Sequence, residues 1–186
     1  MPPEIRALNR NQKLVGEIYT VSGNIDQKVS RYQSLLLWAQ VLSKVPDGRV
    51  LVCQPNTHTI ALMGELSARA LMVKGIKGYL VDGHCRDAQE IIDSKFSVFC
   101  RLTTPADIAE RWKYDSLGKP IIIGTVTISS GDFIIADMDG AVIIPKETLE
   151  EVLIKTEKVM ATESEMRFAI LDGMDPEKAF LKFGKF

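Results

Sequence analysis

The feature that most constrains the fold is an alternation of strand and helix between residues 14 and 101. Four short segments rich in apolar and β-branched residues are predicted as strands, at 14–21, 49–53, 78–82 and 97–101. Three helices are predicted between them, at 30–45, from Gly64-Glu65 to the stop at Gly75, and at 88–93. Strands that alternate with helices in this way indicate an α/β fold.

After residue 120 the pattern changes to short strands joined by glycine-containing turns. These strands are predicted at 121–128, 133–137 and 141–145. The polar stretch 103–120 is interpreted as a long loop with one helical turn. A helix from Glu147 to Asp172, stopped by Gly173, and a shorter helix over 175–183 end the chain. We therefore predict an α/β fold with a mixed sheet and C-terminal helices, as a single domain over residues 1–186.

Composition excludes several classes of protein. The 186 residues carry a net charge of −1, which excludes a nucleic-acid binder that works through bulk positive charge. No apolar run reaches the ~18 residues needed to span a bilayer, and the N-terminus lacks the apolar core of a secretory signal. Three widely spaced cysteines with no CxxC, and two histidines, speak against a Cys/His zinc site. We expect a reducing, cytoplasmic location and neither membrane nor direct nucleic-acid partners.

Two features of segment 64–87 have chemical meaning. Gly64 and Glu65 open a helix directly after a loop, where free N–H groups bind anions and a glycine lets a ligand approach the backbone. Arg86 and Asp87 follow a buried strand, and ligands of open α/β sheets collect at the carboxyl ends of strands. A guanidinium suits a substrate carboxylate, and a carboxylate suits a hard divalent cation.

Each of these residues also has a purely structural interpretation. Adjacent arginine and aspartate residues are common on protein surfaces, and Glu65 in the first turn is a favourable partner for the helix dipole. His84 and Cys85 flank the same segment, and without an assigned partner they are interpreted as packing or loop residues. The individual residues therefore leave both interpretations open.

The assembled pattern GELSARALMVKGIKGYLVDGHCRD resembles the RraA-like family. That family includes the class II 4-hydroxy-4-methyl-2-oxoglutarate aldolases and the regulators of ribonuclease activity. The resemblance extends over residues 14–186, through the segments LVGEIYTV, SVFCR, GTVTISSGDFIIADMDGAVIIP, 163–167, Gly173 and the ending AFLKFGKF. It implies the β/β/α swivelling fold of the family, assembled as a homotrimer or hexamer with active sites at subunit interfaces. Family members usually carry a further N-terminal helical segment, which we expect to be shortened here.

The resemblance also implies roles for particular residues. Arg86 would hold the pyruvyl carboxylate and oxygen of a 2-oxo acid substrate, and Asp87 would carry Mg²⁺ or Mn²⁺. Glu65 would hydrogen-bond water on the metal. The backbone N–H groups of Glu65, Leu66 and Ser67, next to Gly64, would face the substrate carboxylate. Glu163 is the best match for a carboxylate that a neighbouring subunit contributes.

Three functions from different classes follow. The first is a divalent-metal-dependent aldolase that cleaves 4-hydroxy-2-oxo acids such as 4-hydroxy-4-methyl-2-oxoglutarate to pyruvate. A metal and an arginine would stabilise the enolate, and the same enolate arises from oxaloacetate by decarboxylation. A Schiff-base route is disfavoured, because Lys74 and Lys77 lie on or beyond a helix end. The second is a non-catalytic regulator that binds a ribonuclease. The third, a methyltransferase, is disfavoured by the absence of a glycine-rich loop after the first strand.

Overall fold

The computed structural model describes residues 1–184, so Lys185 and Phe186 of the predicted ending AFLKFGKF lie outside the described residues. The strands in this range are β1 Arg6–Ala7, β2 Leu14–Ile25, β3 Val50–Gln54, β4 Ala61–Met63, β5 Gly78–Val81, β6 His84–Cys85, β7 Val98–Cys100, β8 Trp112–Leu117, β9 Ile121–Ile123, β10 Val126–Ile128, β11 Phe133–Asp137 and β12 Gly140–Ile144. The helices are α1 Arg31–Lys44, α2 Glu65–Val73, α3 Ala88–Ser94, α4 Leu149–Leu171 and α5 Pro176–Phe183, with a 3₁₀ turn at Lys146–Thr148.

The chain divides into two compact units, which we call the sheet unit, Met1–Lys146, and the helical unit, Glu147–Phe186. The main sheet of the sheet unit has the order β1-β7-β5-β3-β2-β11-β12, and β8 also pairs with β2. The strands β7, β5, β3 and β2 are parallel, whereas β1, β8, β11 and β12 join antiparallel. The predicted α/β fold with a mixed sheet and C-terminal helices is confirmed.

Two apolar clusters fill the sheet unit, because successive side chains of a strand point to opposite faces. Leu51 and Cys53 of β3 belong to one cluster, which also contains Trp38 of α1. Val50 and Val52 of the same strand belong to the other, with residues of β9, β10 and β11. The central strands are therefore buried on both faces, as their continuous apolar runs predict.

The interpretation of 103–120 as a loop is wrong over Trp112–Leu117, which form β8 against the second half of β2. The Trp112 side chain is fully buried and meets the Trp38 ring edge-on, with ring centroids 6.0 Å apart. The pairing shifts register at Ser22/Gly23, where a Cβ on Gly23 would overlap the Trp112 ring and the Lys113 carbonyl. A half-buried strand with polar residues on its outer face resembles a loop in composition.

The single strand predicted at 121–128 is also wrong, because the segment is a hairpin of two strands. β9 and β10 pair antiparallel, with Ile123 opposite Val126. The turn contains Gly124 at φ +61°, a left-handed conformation that favours glycine. One further strand, β1, lies in the short segment before β2 and pairs with β7.

The helical unit consists of α4, which has 23 residues, and α5. Asp175 caps α5 by accepting a hydrogen bond from the Lys178 N–H at 3.1 Å, and Pro176 occupies the first turn. Over residues 1–184, no helix combines the length and the apolar character that crossing a membrane requires.

Candidate active site

A short parallel pair of strands, β4 and β6, brings the two halves of the candidate site together. Met63 lies opposite Cys85, and the Arg86 N–H donates to the Met63 carbonyl at 2.8 Å. Gly64 follows Met63 directly and opens α2, so the start of this helix lies beside Arg86. The sequence analysis singled out Gly64, Arg86 and Asp87, but β4 and its pairing with β6 only become visible in the structure.

Gly64 lies so close to Arg86 and Asp87 that a side chain there would displace one or both of them. A Cβ at this position would stand 2.7 Å from Asp87 Oδ2 and 3.0 Å from Arg86 Nε. The backbone of Gly64 is extended, at φ −130°, so the need for glycine comes from space and not from backbone conformation. This close approach links the glycine of the sequence motif to its arginine and aspartate.

Asp87 adopts a left-handed backbone conformation, with φ 54° and ψ 44°. Non-glycine residues seldom occupy this region, and the conformation costs about 1 kcal/mol or more. Asp87 stands at the N-cap position of α3 but its side chain does not cap that helix. Its Oδ2 instead accepts a hydrogen bond from the Glu65 N–H at 3.1 Å, so the carboxylate binds the first N–H of α2.

The Arg86 guanidinium lies between two carboxylates without a tight hydrogen bond to either. Its Nε is 3.8 Å from Asp87 Oδ2, and its Nη1 is 3.9 Å from Asp107 Oδ2. Both distances exceed the range of a hydrogen bond, and the side chain is 44% exposed. The charge of Arg86 is therefore balanced while its N–H donors remain available to a ligand.

Arg86 borders two cavities. One, of about 370 Å³, is mostly apolar and is lined by residues of α1 and α2, including Trp38 and Leu66, and by Asp107. The other, of about 320 Å³, is lined by Arg86, Asp87, Ala88, Thr103, Thr104 and Pro105. A ligand that binds Arg86 thus meets an apolar wall on one side and hydroxyl and carboxylate groups on the other.

The first turn of α2 differs in detail from the predicted arrangement. The Glu65 carboxylate contacts the Arg69 guanidinium one turn along the helix, and the Glu65 N–H is already bonded to Asp87. Ser67 Oγ accepts a hydrogen bond from the Trp38 indole N–H at 3.0 Å, and Gly64 offers no side-chain cap. The N–H groups of Leu66 and Ser67 therefore remain as donors at this helix terminus.

The residues fit a hydrated divalent cation better than a metal held by protein groups alone. Within residues 1–184 there is no group of three or more His, Cys, Asp or Glu side chains that could hold a metal ion. Mg²⁺ commonly keeps several waters and binds one or two carboxylates together with substrate oxygens. Asp87 is 40% exposed and borders the more polar cavity, so it is the residue that could hold Mg²⁺ or Mn²⁺.

Asp107, Asp82 and Arg101 are site residues or supports that the sequence analysis did not identify. Asp107 comes from the stretch interpreted as a loop. Asp82 is buried at the end of β5 and accepts a hydrogen bond from Arg101 Nε at 2.6 Å, and His58 Nε2 lies 3.4 Å from the same oxygen. The Arg101 N–H also donates to the Gly83 carbonyl at 2.8 Å, which fixes the turn before Arg86. The available signal was a charged residue at the last position of each of the predicted strands 78–82 and 97–101.

Glu163 is an exposed residue of α4, 3.3 Å from Arg167 Nη2, and its contribution to the site of a neighbouring subunit stays a prediction. Cys85 is fully buried directly before Arg86.

The fold and the site together define a mixed α/β protein with an arginine, a carboxylate and a helix N-terminus grouped at the ends of parallel strands. The profile of the RraA-like family, described as Aldolase/RraA, matches residues 1–143, and the chain belongs to this family. The resemblance stated from the sequence is therefore confirmed.

Three similar proteins illustrate the family. A protein of Halalkalibacterium halodurans, provisionally named a 4-hydroxy-4-methyl-2-oxoglutarate aldolase, is 30% identical over 96% of this chain and 81% of its own. The 4-hydroxy-4-methyl-2-oxoglutarate aldolase of Thermus thermophilus is 28% identical over 77% of this chain and 87% of its own. The crystal structure of Streptomyces coelicolor RraAS2, described as an unusual member of the RNase ES inhibitor RraA family, has a TM-score of 0.76 at 29% identity, covering 88% of this chain and 82% of its own.

Proposed function

We propose that this protein is a divalent-metal-dependent class II aldolase that cleaves 4-hydroxy-2-oxo acids, such as 4-hydroxy-4-methyl-2-oxoglutarate, to pyruvate. The observation that carries the proposal is the grouping of Arg86 and Asp87 against Gly64, between two cavities. The names of the two aldolase relatives support the same reaction class. Decarboxylation of oxaloacetate would follow from the same site, because it generates the same pyruvate enolate.

Arg86 would bind the substrate carboxylate and the neighbouring C2 oxygen through its planar set of N–H donors. When the bond between C3 and C4 breaks, its electrons move onto the C2 oxygen and negative charge develops there. An N–H donor that already faces this oxygen stabilises the charge without reorganising. The long distances from Arg86 to Asp87 and Asp107 support this role, because neither carboxylate occupies the guanidinium fully.

The start of α2 would hold the other end of the pyruvyl group. The N–H groups of Leu66 and Ser67 lie at the positive end of the helix dipole, where a carboxylate is stabilised. Gly64, Leu66 and Ser67 all line the larger, mostly apolar cavity, so a ligand in that cavity meets this turn. Ser67 is itself fixed by the hydrogen bond from Trp38, which orients this turn.

Asp87 would hold the divalent cation, and Glu65 would accept hydrogen bonds from the water around it. When bound, the cation supplies positive charge that stabilises the enolate oxygen. The hydrogen bond from the Glu65 N–H keeps the Asp87 carboxylate directed toward the start of α2. No lysine lines either cavity in the described part of the chain, and Lys74 Nζ contacts the carbonyl groups of Leu42 and Ser43 at the end of α1. These contacts support charge stabilisation over a Schiff base.

A homotrimer or hexamer in the cytoplasm, with Glu163 of each subunit reaching a neighbour's site, belongs to the same proposal. Light scattering at micromolar protein concentration tests the assembly, and a monomer would contradict both the assembly and the role of Glu163.

The alternative function is binding and regulation of a ribonuclease without catalysis. The likeness to the Streptomyces coelicolor structure supports it. A protein that only binds a partner has no chemical need for Arg86 and Asp87 beside a helix N-terminus. We therefore rank it second.

The decisive experiment measures pyruvate release from 4-hydroxy-4-methyl-2-oxoglutarate and from oxaloacetate. We expect turnover that EDTA abolishes and that Mg²⁺ or Mn²⁺ restores. Turnover that survives exhaustive chelation, or trapping of substrate on the protein by borohydride, would contradict the metal mechanism. Failure to release pyruvate together with inhibition of a ribonuclease would favour the alternative.

A further inference from the structure

Two of the three cysteines lie in sulfur contact directly beneath the candidate site. Cys85 and Cys100 are 0% and 4% exposed, and their Sγ atoms are 3.3 Å apart. Cys85 ends β6 and Cys100 ends β7, so the pair joins the small sheet to the main one. All three cysteines are free thiols, and Cys53 is equally buried but lies in β3. Cys85 and Cys100 have no role in the proposed aldolase mechanism.

We propose that Cys85 and Cys100 are a site of reversible oxidation by hydrogen peroxide, at which a disulfide forms and displaces Arg86 and Asp87. The inference goes beyond the proposed function, because formation of the disulfide can be measured without knowing which reaction the site performs. The effect on catalysis is the one part that rests on the proposed aldolase activity.

The two thiols differ in a way that assigns the order of the steps. Cys85 is 0% exposed whereas Cys100 is 4% exposed, so Cys100 is the member of the pair that a peroxide molecule reaches from outside. Burial raises the pKa of the Cys53 thiol to about 12, so this third thiol stays protonated and unreactive. Cys100 is therefore the thiol that reacts with peroxide first.

The chemistry balances with peroxide as the oxidant. The Cys100 thiolate attacks one peroxide oxygen, the O–O bond breaks, and the second oxygen leaves and takes up a proton as water. The Cys85 sulfur then attacks the sulfenic sulfur of Cys100, the S–O bond breaks, and the leaving hydroxide takes the Cys85 proton as a second water. Two thiols and one peroxide thus give one disulfide and two waters. A dithiol such as dithiothreitol reverses the step and is itself oxidised to a cyclic disulfide.

The geometry connects this bond to the site. A disulfide holds its sulfurs at about 2.0 Å, so the two Sγ atoms must approach by more than 1 Å. Cys85 is held by backbone hydrogen bonds to Leu102 and Thr104, and Arg86 follows it directly with its N–H on Met63. Closing the sulfur gap therefore pulls on the peptide that fixes Arg86. Misplacement of a binding group by about 1 Å can reduce a rate by ~10²-fold.

The test uses the intact, reduced protein treated with hydrogen peroxide and then alkylated under denaturing conditions. We expect a loss of two hydrogens in intact mass, one remaining alkylated cysteine at Cys53, and a linked pair of peptides containing Cys85 and Cys100. Dithiothreitol should return all three thiols. Cys53→Ser is the matched control and should form the same disulfide, whereas Cys100→Ser should not.

Three alkylated thiols after peroxide, irreversible oxidation of Cys100 without a disulfide, or a disulfide that includes Cys53 would overturn the proposal. These readouts on the wild-type chain need no variant and no activity. Where the reduced enzyme releases pyruvate, oxidation should lower kcat/KM by about tenfold or more. A fully formed disulfide with unchanged pyruvate release would overturn its coupling to Arg86.

Discussion

The sheet unit and the helical unit bury their apolar residues to very different degrees. The sheet unit contains two apolar clusters, and its largest fully buried side chains are Trp112, Tyr79 and Phe99. In the described part of the helical unit, the buried residues are Met166 and Ala179. Leu153 and Phe168 of α4, by contrast, are 53% and 71% exposed.

This difference in burial suggests different roles for the two units. The sheet unit has its own apolar core and contains the candidate site, whereas the helical unit exposes apolar side chains. Arg86, Asp87, Asp107, Gly64 and both cavities belong to the sheet unit. Exposed apolar residues concentrated on a helix are typical of surfaces that contact another molecule. On the proposed trimer or hexamer, that molecule is a second copy of this chain. Substitutions at the candidate site residues of the sheet unit should therefore act on rate, and most substitutions in the helical unit should not.

The largest effect is expected from Arg86→Lys. Lysine offers a point charge on a flexible stem in place of a planar set of donors, so the substrate carboxylate and C2 oxygen lose paired binding. Loss of one donor at a developing oxyanion typically costs ~10²–10³ in rate, about 3–4 kcal/mol. We expect that loss in kcat/KM for pyruvate release at an unchanged melting temperature.

Arg49→Lys is the control for that variant, because Arg49 forms an ion pair with Glu17 away from both cavities. It should keep the wild-type rate. An Arg86→Lys rate within threefold of wild type would remove Arg86 from the site and make ribonuclease regulation the better explanation.

Gly64→Ala should have the next largest effect. The added Cβ would stand 2.7 Å from Asp87 Oδ2 and 3.0 Å from Arg86 Nε, so both side chains must move. We expect kcat/KM to fall by ~10²-fold. Stability should change by only about 1 kcal/mol, since alanine is a poorer N-cap than glycine. The rates of the variant and the wild-type protein are measured side by side. An undiminished rate for Gly64→Ala would show that the close approach of these three residues is not needed for catalysis.

Glu163→Gln should lower kcat/KM by about tenfold if this carboxylate supports a neighbouring site, because outer partners of a metal site typically contribute that much. Glu151→Gln is the matched control, since Glu151 is an exposed glutamate of the same helix with an i,i+4 cationic partner, Lys155. Equal rates for the two variants would show that Glu163 does not contribute to catalysis. The candidate site would then be confined to the sheet unit.

The sequence predicts the parallel strands and the residues of the site better than it predicts how they meet. Strands at 49–53 and 78–82 are continuous apolar runs because both of their faces are buried. Such a run can be recognised in a single sequence. Arg86 and Asp87 were identified because they follow such a strand. The strand β4 has three residues and no period of its own, so the pairing that places Gly64 beside Arg86 depends on tertiary contacts.

Asp107 and β8 were missed for a related reason. Trp112–Leu117 has one fully buried side chain and several partly exposed polar ones, which in composition resembles a surface loop. Its strand conformation depends on the second half of β2, far away in sequence. Asp107 lies in the segment before β8, which contacts α1 through the hydrogen bond from the Glu110 N–H to Ser34 Oγ, so its position 3.9 Å from Arg86 depends on tertiary contacts.

The smallest expected effect is that of Gly173→Ala in the helical unit, which is the counterpart of Gly64→Ala in the sheet unit. Gly173 ends α4 at φ +90°, with its N–H bonded to the Ile170 carbonyl at 3.0 Å, and a Cβ there would meet no atom within 4 Å. The cost is therefore backbone strain alone, about 1 kcal/mol, or a drop of roughly 2–4 °C in melting temperature for a chain of this size. The rate of pyruvate release should not change, because α4 keeps its helical hydrogen bonds. At Gly64 the backbone is unstrained and the space is filled, whereas at Gly173 the space is empty and the backbone is strained. A rate loss for Gly173→Ala comparable to that for Gly64→Ala would show that catalysis depends on the helical unit as strongly as on the sheet unit.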